Sequence, residues 1–421
     1  MARNPASPTR AALPAAEAAA AHWHRMRNET ARYALLLLGG TAAAVLAMAM
    51  PAMASPVSVH DATSTGSISA ILGDGDIVTG VRGTTDGNVI LTGSQADADG
   101  TKNTKPFLHE GPLTRAAKGV SVLTPPFPGF QTGTFYGPDT STYNPDTIPA
   151  GQVRAVGSYR TSEKNGVLNH GMIYLGPVNG RGGQWTTIDV PRDGRNTVGH
   201  VRACPITRPG CIVMDTIAHS TMGNLVVGNY DLNPSLRGVI TANAFIYNMS
   251  TQLWTLLSLG GSMSSATTLY GIWQNGGPGS PNYTLAGGSS ARGSSLGTQR
   301  AFLMNYNERT GVFGKPRFYS YGNAPTLVTH FDGITKVPGG FNVVAISSAQ
   351  PSSMAFIPAT GDGWPSFGTA TWYPINVGAS SLCSGNCSQV TGNTVYQNQV
   401  MGLYTASDSV PRTYLATVRM R

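Results

Sequence analysis

The sequence predicts an all-β chain, specifically a six-bladed β-propeller of four-stranded antiparallel blades whose ring is closed by an N-terminal strand. Three observations lead there. Only 11% of the 421 residues are charged, against about a quarter in ordinary soluble domains. Glycine fills 52 positions and proline 28, while Glu (5) and Lys (6), the usual residues of exposed helix surfaces, are rare. Lastly, one strand pattern recurs six times. A β-sandwich or β-solenoid with the same number of strands is the competing architecture.

The first 54 residues stand apart. Met1 to Arg32 is Ala-rich with five arginines, Tyr33 to Met50 is an apolar run of 18 residues without charge, and Ala52-Met53-Ala54 precedes Ser55. That order reads as a secretory signal with a long basic region and a small-x-small cleavage site. An uncleaved anchor is the other reading of the same run. Nothing later in the chain is apolar enough to span a membrane, so the expectation is a secreted protein, extracellular or periplasmic. Residues 55–65 read as a linker and 66–421 as a single propeller domain.

Within that domain each copy has a β-branched strand ending near Gly, a polar loop, and an apolar strand opening on Ala-Phe or a relative. The first-strand anchors are Gly93, Gly157, Gly228, Gly287, Ala345 and Gly402, with steps of 64, 71, 59, 58 and 57 residues. The second-strand anchors are Phe107, Met172, Phe245, Phe302, Phe356 and Tyr414. Upstream of each pair lies a further strand: DIVTGV, GTFYG, IVMDTIAHS, TTLYGIW, VTHFDGI and NTVYQ. Downstream lies a fourth: VSVL, WTTIDVP, WTLL, RFYSY and TWYPI. The sixth copy lacks its fourth strand, and SISAIL (Ser67 to Leu72) is in surplus before the first copy. A deficit at one end matched by a surplus at the other describes a closed ring, in which stacked blades bury the faces that one sheet alone would expose.

These units, above all GGQWTTIDVP at Gly182 to Pro191 and the tripeptides HGM, NAF, RAF and MAF at the second anchors, resemble the repeat of bacterial extracellular HAF-repeat proteins. The family's "GIN-x-x-G" turn survives only in fragments such as YGIWQNGG, and the repeats here are longer. The resemblance implies export and a propeller-like fold, and it implies no defined activity.

Four cysteines fit export. Cys204 with Cys211 and Cys383 with Cys387 form the two most local pairs, each able to pin a loop in an oxidising compartment. Neither spacing is the C-x2-C of zinc sites, so no metal centre is expected. Asp97-Ala98-Asp99-Gly100 and Asp74-Gly75-Asp76 have the alternation of calcium loops but no closing Glu, which leaves calcium and a plain Asx turn both open.

Chemistry is sparse. There is no S-x-x-K, H-E-x-x-H, Walker or dinucleotide motif, and the one G-x-S-x-G, around Ser295, lies in a polar loop and not in a strand-to-helix elbow. Of the histidines after the leader (His60, His109, His170, His200, His219 and His330), only His219 and His330 fall on upstream strands, the innermost of each blade. With Asp215 and Asp332 they are the catalytic candidates. Trp185, Trp254 and Trp372 recur at equivalent fourth-strand positions and read as packing, whereas Trp273 and Trp364 break the pattern and are the candidate ligand contacts. Basic residues are scattered, which excludes nucleic-acid recognition.

The composition therefore reads as a monomeric, non-enzymatic exported propeller that binds an extracellular glycan or a surface protein and needs no cofactor. A polysaccharide hydrolase or lyase using Asp215, His219, His330 and Asp332 is the alternative, and a purely structural surface protein is a third.

Overall fold

The computed structural model describes residues 65–420, apart from 97–103, 114–118, 163–166, 193–196, 200–211, 233–242, 260–265, 291–299, 325–326, 328, 384–385 and 388. The signal segment, Cys204 and Cys211, His60 and His200, Asp97 and Asp99, and Ser295 lie outside the described residues.

The chain forms six small sheets in a ring, a six-bladed β-propeller. The innermost strands are Asp76–Gly83, Phe130–Thr140, Val213–Met222, Thr267–Asn275, Thr329–Val337 and Thr394–Tyr396. Each adjoins the innermost strand of the next blade, and the sixth adjoins the first, which closes the ring. The second strands, Val89–Ala96, Gln152–Thr161, Leu225–Leu232, Asn282–Ser289, Gly340–Ser347 and Gln399–Thr405, carry the repeat's first anchors. Their faces are buried almost throughout, because every blade packs between two others.

Closure follows the expectation. Thr65–Ile71 pairs antiparallel with Pro411–Val418, the third strand of the last blade, and supplies its outer strand. Arg412 grips the seam with a two-pronged bond to Asp74 (2.7 and 3.0 Å) and another to Asp408 (2.6 and 2.9 Å). Asp76 accepts from Gln95 Nε2 at 2.6 Å and from the Gly73 N–H at 3.0 Å. The Asp74–Asp76 pair is thus a turn whose carboxylates are engaged by protein donors.

Two local departures have clear causes. The third blade carries an extra outer strand, Thr197–Gly199, parallel to Leu253–Leu257, contributed by the long connection before it. In the fifth blade the residue facing the anchor Ala345 is Ser353, not Phe356. Elsewhere an aromatic ring lies over an anchor glycine: a Cβ built on Gly93, Gly228 or Gly402 would fall 2.7–2.8 Å from Phe107, Phe245 or Tyr414. The methyl of Ala345 fills that space itself, so no ring is needed. Cys383 and Cys387 are disulfide-bonded, four residues apart.

Candidate functional site

The anchor glycines explain how the channel is lined. A Cβ on Gly93, Gly157, Gly228, Gly287 or Gly402 would lie 1.8–2.1 Å from a carbonyl oxygen of the innermost strand, that of Ile77, Thr134, Ile217, Thr268 and Thr391 respectively. At these five anchors the bulged strand leaves no room for a Cβ, whereas the fifth blade accommodates the methyl of Ala345 beside its own bulge. The pairing register shifts between Val78 and Gly80, Phe135 and Gly137, Ala218 and Ser220, Leu269 and Gly271, and Phe331 and Gly333. It shifts by one again between Val390↔Tyr404 and Thr394↔Met401. A bulge leaves one residue unpaired and turns its side chain off the sheet. The residues so released are Thr79, Tyr136, His219, Tyr270 and Asp332, with Asn393 at the matching place in the sixth blade. Each is partly exposed between buried neighbours. Six blades therefore present six polar or aromatic side chains around one level of the axis.

Two of these six side chains are tied to neighbouring backbone by hydrogen bonds. Asn393 Nδ2 donates to the Val78 carbonyl at 2.8 Å, and the Thr79 hydroxyl donates to the Phe135 carbonyl of the next blade. Tyr136, His219 and Tyr270 form a chain of rings that continues to His330. Tyr136 and His219 have centroids 4.9 Å apart, His219 and Tyr270 4.4 Å, and Tyr270 and His330 5.6 Å. His330 Nε2 then meets Asp332 Oδ1 at 3.1 Å, with 13% and 14% of the two side chains exposed, enough for a ligand to reach both.

The two imidazoles are held in different states. Burial lowers His219, and the charge of His330 adds to this, bringing it to about 3. Burial also opposes the charged form of His330, but the charge of Asp332 and its hydrogen bond together outweigh that and hold it above its ordinary value. An imidazole held towards the neutral form and one held towards the charged form are thus separated by one tyrosine ring.

Three residues further along the innermost strands, roughly 10 Å, the channel is barred. The Arg82 guanidinium of the first blade lies 5.2 Å from the ring of Trp273 on the fourth blade, opposite it, and donates to the carbonyls of Pro138 (3.2 Å) and Thr221 (3.5 Å). Tyr143 meets Trp273 edge-on at 5.5 Å. Beneath, buried Asp139 accepts from Asn144 Nδ2 (2.6 Å) and the backbone N–H groups of Thr140 and Gly223, and lies 3.9 Å from Arg154. Two guanidiniums face one carboxylate, so the floor is net positive.

Of the four catalytic candidates, His219, His330 and Asp332 come together and Asp215 does not. Asp215 is buried four residues before His219 and accepts from Asn169 Nδ2, while Asn169 Oδ1 accepts from Arg160 Nε at 2.8 Å. That chain ties the second blade to the third. Trp273, expected as an exposed contact, is 7% exposed and forms the channel bar. Trp364 is 43% exposed in its loop, away from the ring. Trp254 and Trp372 are buried packing residues; Trp185 is half-buried against Tyr174 and Phe135. His170 pairs with Asp189 (2.8 Å) and stacks on Tyr159, outside the channel.

Sequence reasoning missed Tyr136 and Tyr270. The signal was present in the upstream strands, where TFYG, TLYG, VTG and FDG all place the released residue immediately before a glycine. Among the described residues no group of three or more His, Cys, Asp or Glu could hold a metal, and no helix is long and apolar enough to cross a membrane. In comparisons with family models and with curated proteins, the chain matches none.

Proposed function

We propose that the channel ring engages an acidic polysaccharide and acts on it as a lyase. One observation carries this reading: His219, held neutral by burial, lies between two tyrosines, within one ring of the His330–Asp332 pair, in which the carboxylate favours the charged imidazole. β-Elimination from a uronate needs these three kinds of group. A base takes the proton α to the carboxylate, and His219 is neutral at the pH where that is required. A cation offsets charge building on that carboxylate, which suits His330. The bond from the sugar to the leaving oxygen then breaks as the C=C bond forms, and a tyrosine hydroxyl, Tyr136 or Tyr270, protonates the departing oxygen. The net positive floor supports an anionic ligand. Hydrolysis fits less well, because it ordinarily employs two carboxylates across the scissile bond, and among the described residues of the ring only Asp332 supplies one.

The leader at 1–54 and the Cys383–Cys387 bridge support an exported setting, where such polymers occur. The HAF-like units support a place among the bacterial HAF-repeat proteins. A second reading, glycan binding without turnover, draws on the partly exposed rings of Tyr136 and Tyr270, which offer stacking faces.

The deciding experiment incubates the protein with pectate, alginate and glycosaminoglycans, following the ultraviolet absorbance of the unsaturated uronate and the release of reducing ends. Absorbance from one of these polymers, lost in His219→Ala, supports the lyase. Binding without either signal supports the second reading, and no binding to any of them rejects both.

A further inference from the structure

The outer edge of the fourth blade carries an unbalanced positive charge. From Thr267 to Ala324 the sequence holds five basic residues and one acidic, Glu308. The Glu308 carboxylate is engaged by the Tyr283 hydroxyl, which donates to it at 3.1 Å. Arg300, Lys315 and Arg317 are exposed, and among the described residues none of the three forms an ion pair with a carboxylate. Asp362, in the neighbouring loop of the fifth blade, is already opposed by Lys336 at 3.5 Å.

Exposed apolar groups share this edge. Val312 and Phe318 stand on the outermost segments Val312–Phe313 and Arg317–Tyr319. Val312 faces Asn307 and Phe318 faces Phe302 on the adjoining strand, five residues or about 17 Å apart. Between them Gly314 makes room for Trp364 of the fifth blade, since a Cβ on Gly314 would lie 3.2 Å from the indole Cζ2. Asn305 pins that loop by donating from Nδ2 to the Pro365 carbonyl at 2.9 Å, while 43% of Trp364 stays exposed. The Arg300 guanidinium lies 4.8 Å from the centre of the Phe318 ring, and Arg317 Nη2 reaches Thr369 Oγ1 at 3.5 Å. Cations that are scattered in the sequence thus meet one exposed indole along a single edge.

We infer that this edge binds an acidic polysaccharide, its anionic groups meeting Arg300, Lys315 and Arg317 and one sugar face resting on Trp364. Charge complementarity selects an anion, and the exposed indole offers a flat apolar surface for the C–H face of a pyranose. A membrane surface fits less well, because cations separate the three apolar side chains and leave no continuous apolar face to bury. Single-stranded nucleic acid stacks successive bases on aromatic rings. Here Arg300 covers Phe318, which leaves Trp364 as the one exposed ring to stack on. The edge is formed by outermost strands, apart from the channel, so binding on it does not require turnover at His219.

The test measures binding of the full-length protein to immobilised pectate, alginate and heparin at low and high salt, with neutral dextran beside them. Salt-sensitive binding to at least one acidic polymer, and none to dextran, is expected. Combining Arg300→Gln, Lys315→Gln and Arg317→Gln should weaken that binding at least about tenfold and flatten its salt dependence. Trp364→Ala should weaken it with the salt dependence kept. In the wild-type complex the polymer should protect Lys315 from acetylation, which reads the same contact without a variant. No binding to any of the three polymers, or equal binding to dextran, would overturn the inference. So would equally tight binding to anionic phospholipid vesicles or a single-stranded oligonucleotide, unchanged affinity in the triple variant, or an unprotected Lys315. Unsaturated product from the wild type together with unchanged binding by the triple variant refutes this site and leaves the lyase reading standing; loss of binding in that variant, with no product from the wild type, does the reverse.

Discussion

The rings of His219 and Tyr270 lie 4.4 Å apart, edge to face with their planes at 66°, each released into the channel by a bulge on its own blade. Neither residue reaches the other through sequence; the contact exists because two equivalent bulges fall at one level of the ring. If the pair performs the proton transfers proposed above, His219→Ala should lower kcat by about 10²–10⁴ on the responsive polyuronate. Tyr270→Phe should lower kcat with little change in KM, since it keeps the stacking face and removes the hydroxyl. Steady-state kinetics of both variants provides the check, and an unchanged kcat in His219→Ala would remove this residue from the chemistry.

Stability should depend on pH through the two imidazoles with opposite signs. His219 titrates at about 3 in the folded protein and near 6.5 when unfolded. Between those values the unfolded chain binds the additional proton, so stability falls as pH falls from 6.5, by at most about 1.4 kcal/mol per unit. His330 is raised, so the stabilisation from Asp332 is fully present below 6.5 and is lost as pH rises through the raised value. Urea midpoints across pH 4–9 should show both limbs. His219→Phe should flatten the acid limb, and Asp332→Asn the alkaline one.

Gly287→Ala places a methyl 1.8 Å from the Thr268 carbonyl oxygen. It should cost about 3 kcal/mol or more, because the obstacle is backbone and the bulge must be displaced. Ala345→Gly, at the equivalent position of the fifth blade, should cost only about 1 kcal/mol. Denaturant titration of the two variants compares them directly, and equal losses would refute the link between anchor glycines and bulges.

Asp139→Asn leaves Arg82 and Arg154 buried with no opposing carboxylate. Destabilisation of about 3–5 kcal/mol is expected, read as a fall in melting temperature. Restoration by a second change, Arg154→Met, would trace the loss to the unpaired charge.

Particular residues show what could be read beforehand. The glycine anchors at 93, 157, 228, 287 and 402 reveal the repeat because a bulged carbonyl excludes any side chain at those places, a constraint written directly into residue type. SISAIL was recognisable as the closing strand because a ring requires equal strand counts, whatever the contacts. Asp215 was misplaced for a different reason. Counting from His219 along one strand gives no sense of the opposing Asn169, whose amide takes Asp215 out of the channel. Trp273 reads as a ligand contact because it stands outside the fourth-strand tryptophan pattern, yet its partner Arg82 is 191 residues away on the opposite blade.

The sequence by itself determined the architecture: strand count, blade number, closure by the first strand, and the glycines that permit the bulges. These follow from local sterics and from a period repeated often enough to be seen. Only the tertiary structure decided which side chains share the channel, that burial favours neutral His219 while Asp332 favours charged His330, and that one end is barred by Arg82 and Trp273. Those properties depend on distances between blades, and burial and Coulomb terms act through space between residues that the chain keeps far apart.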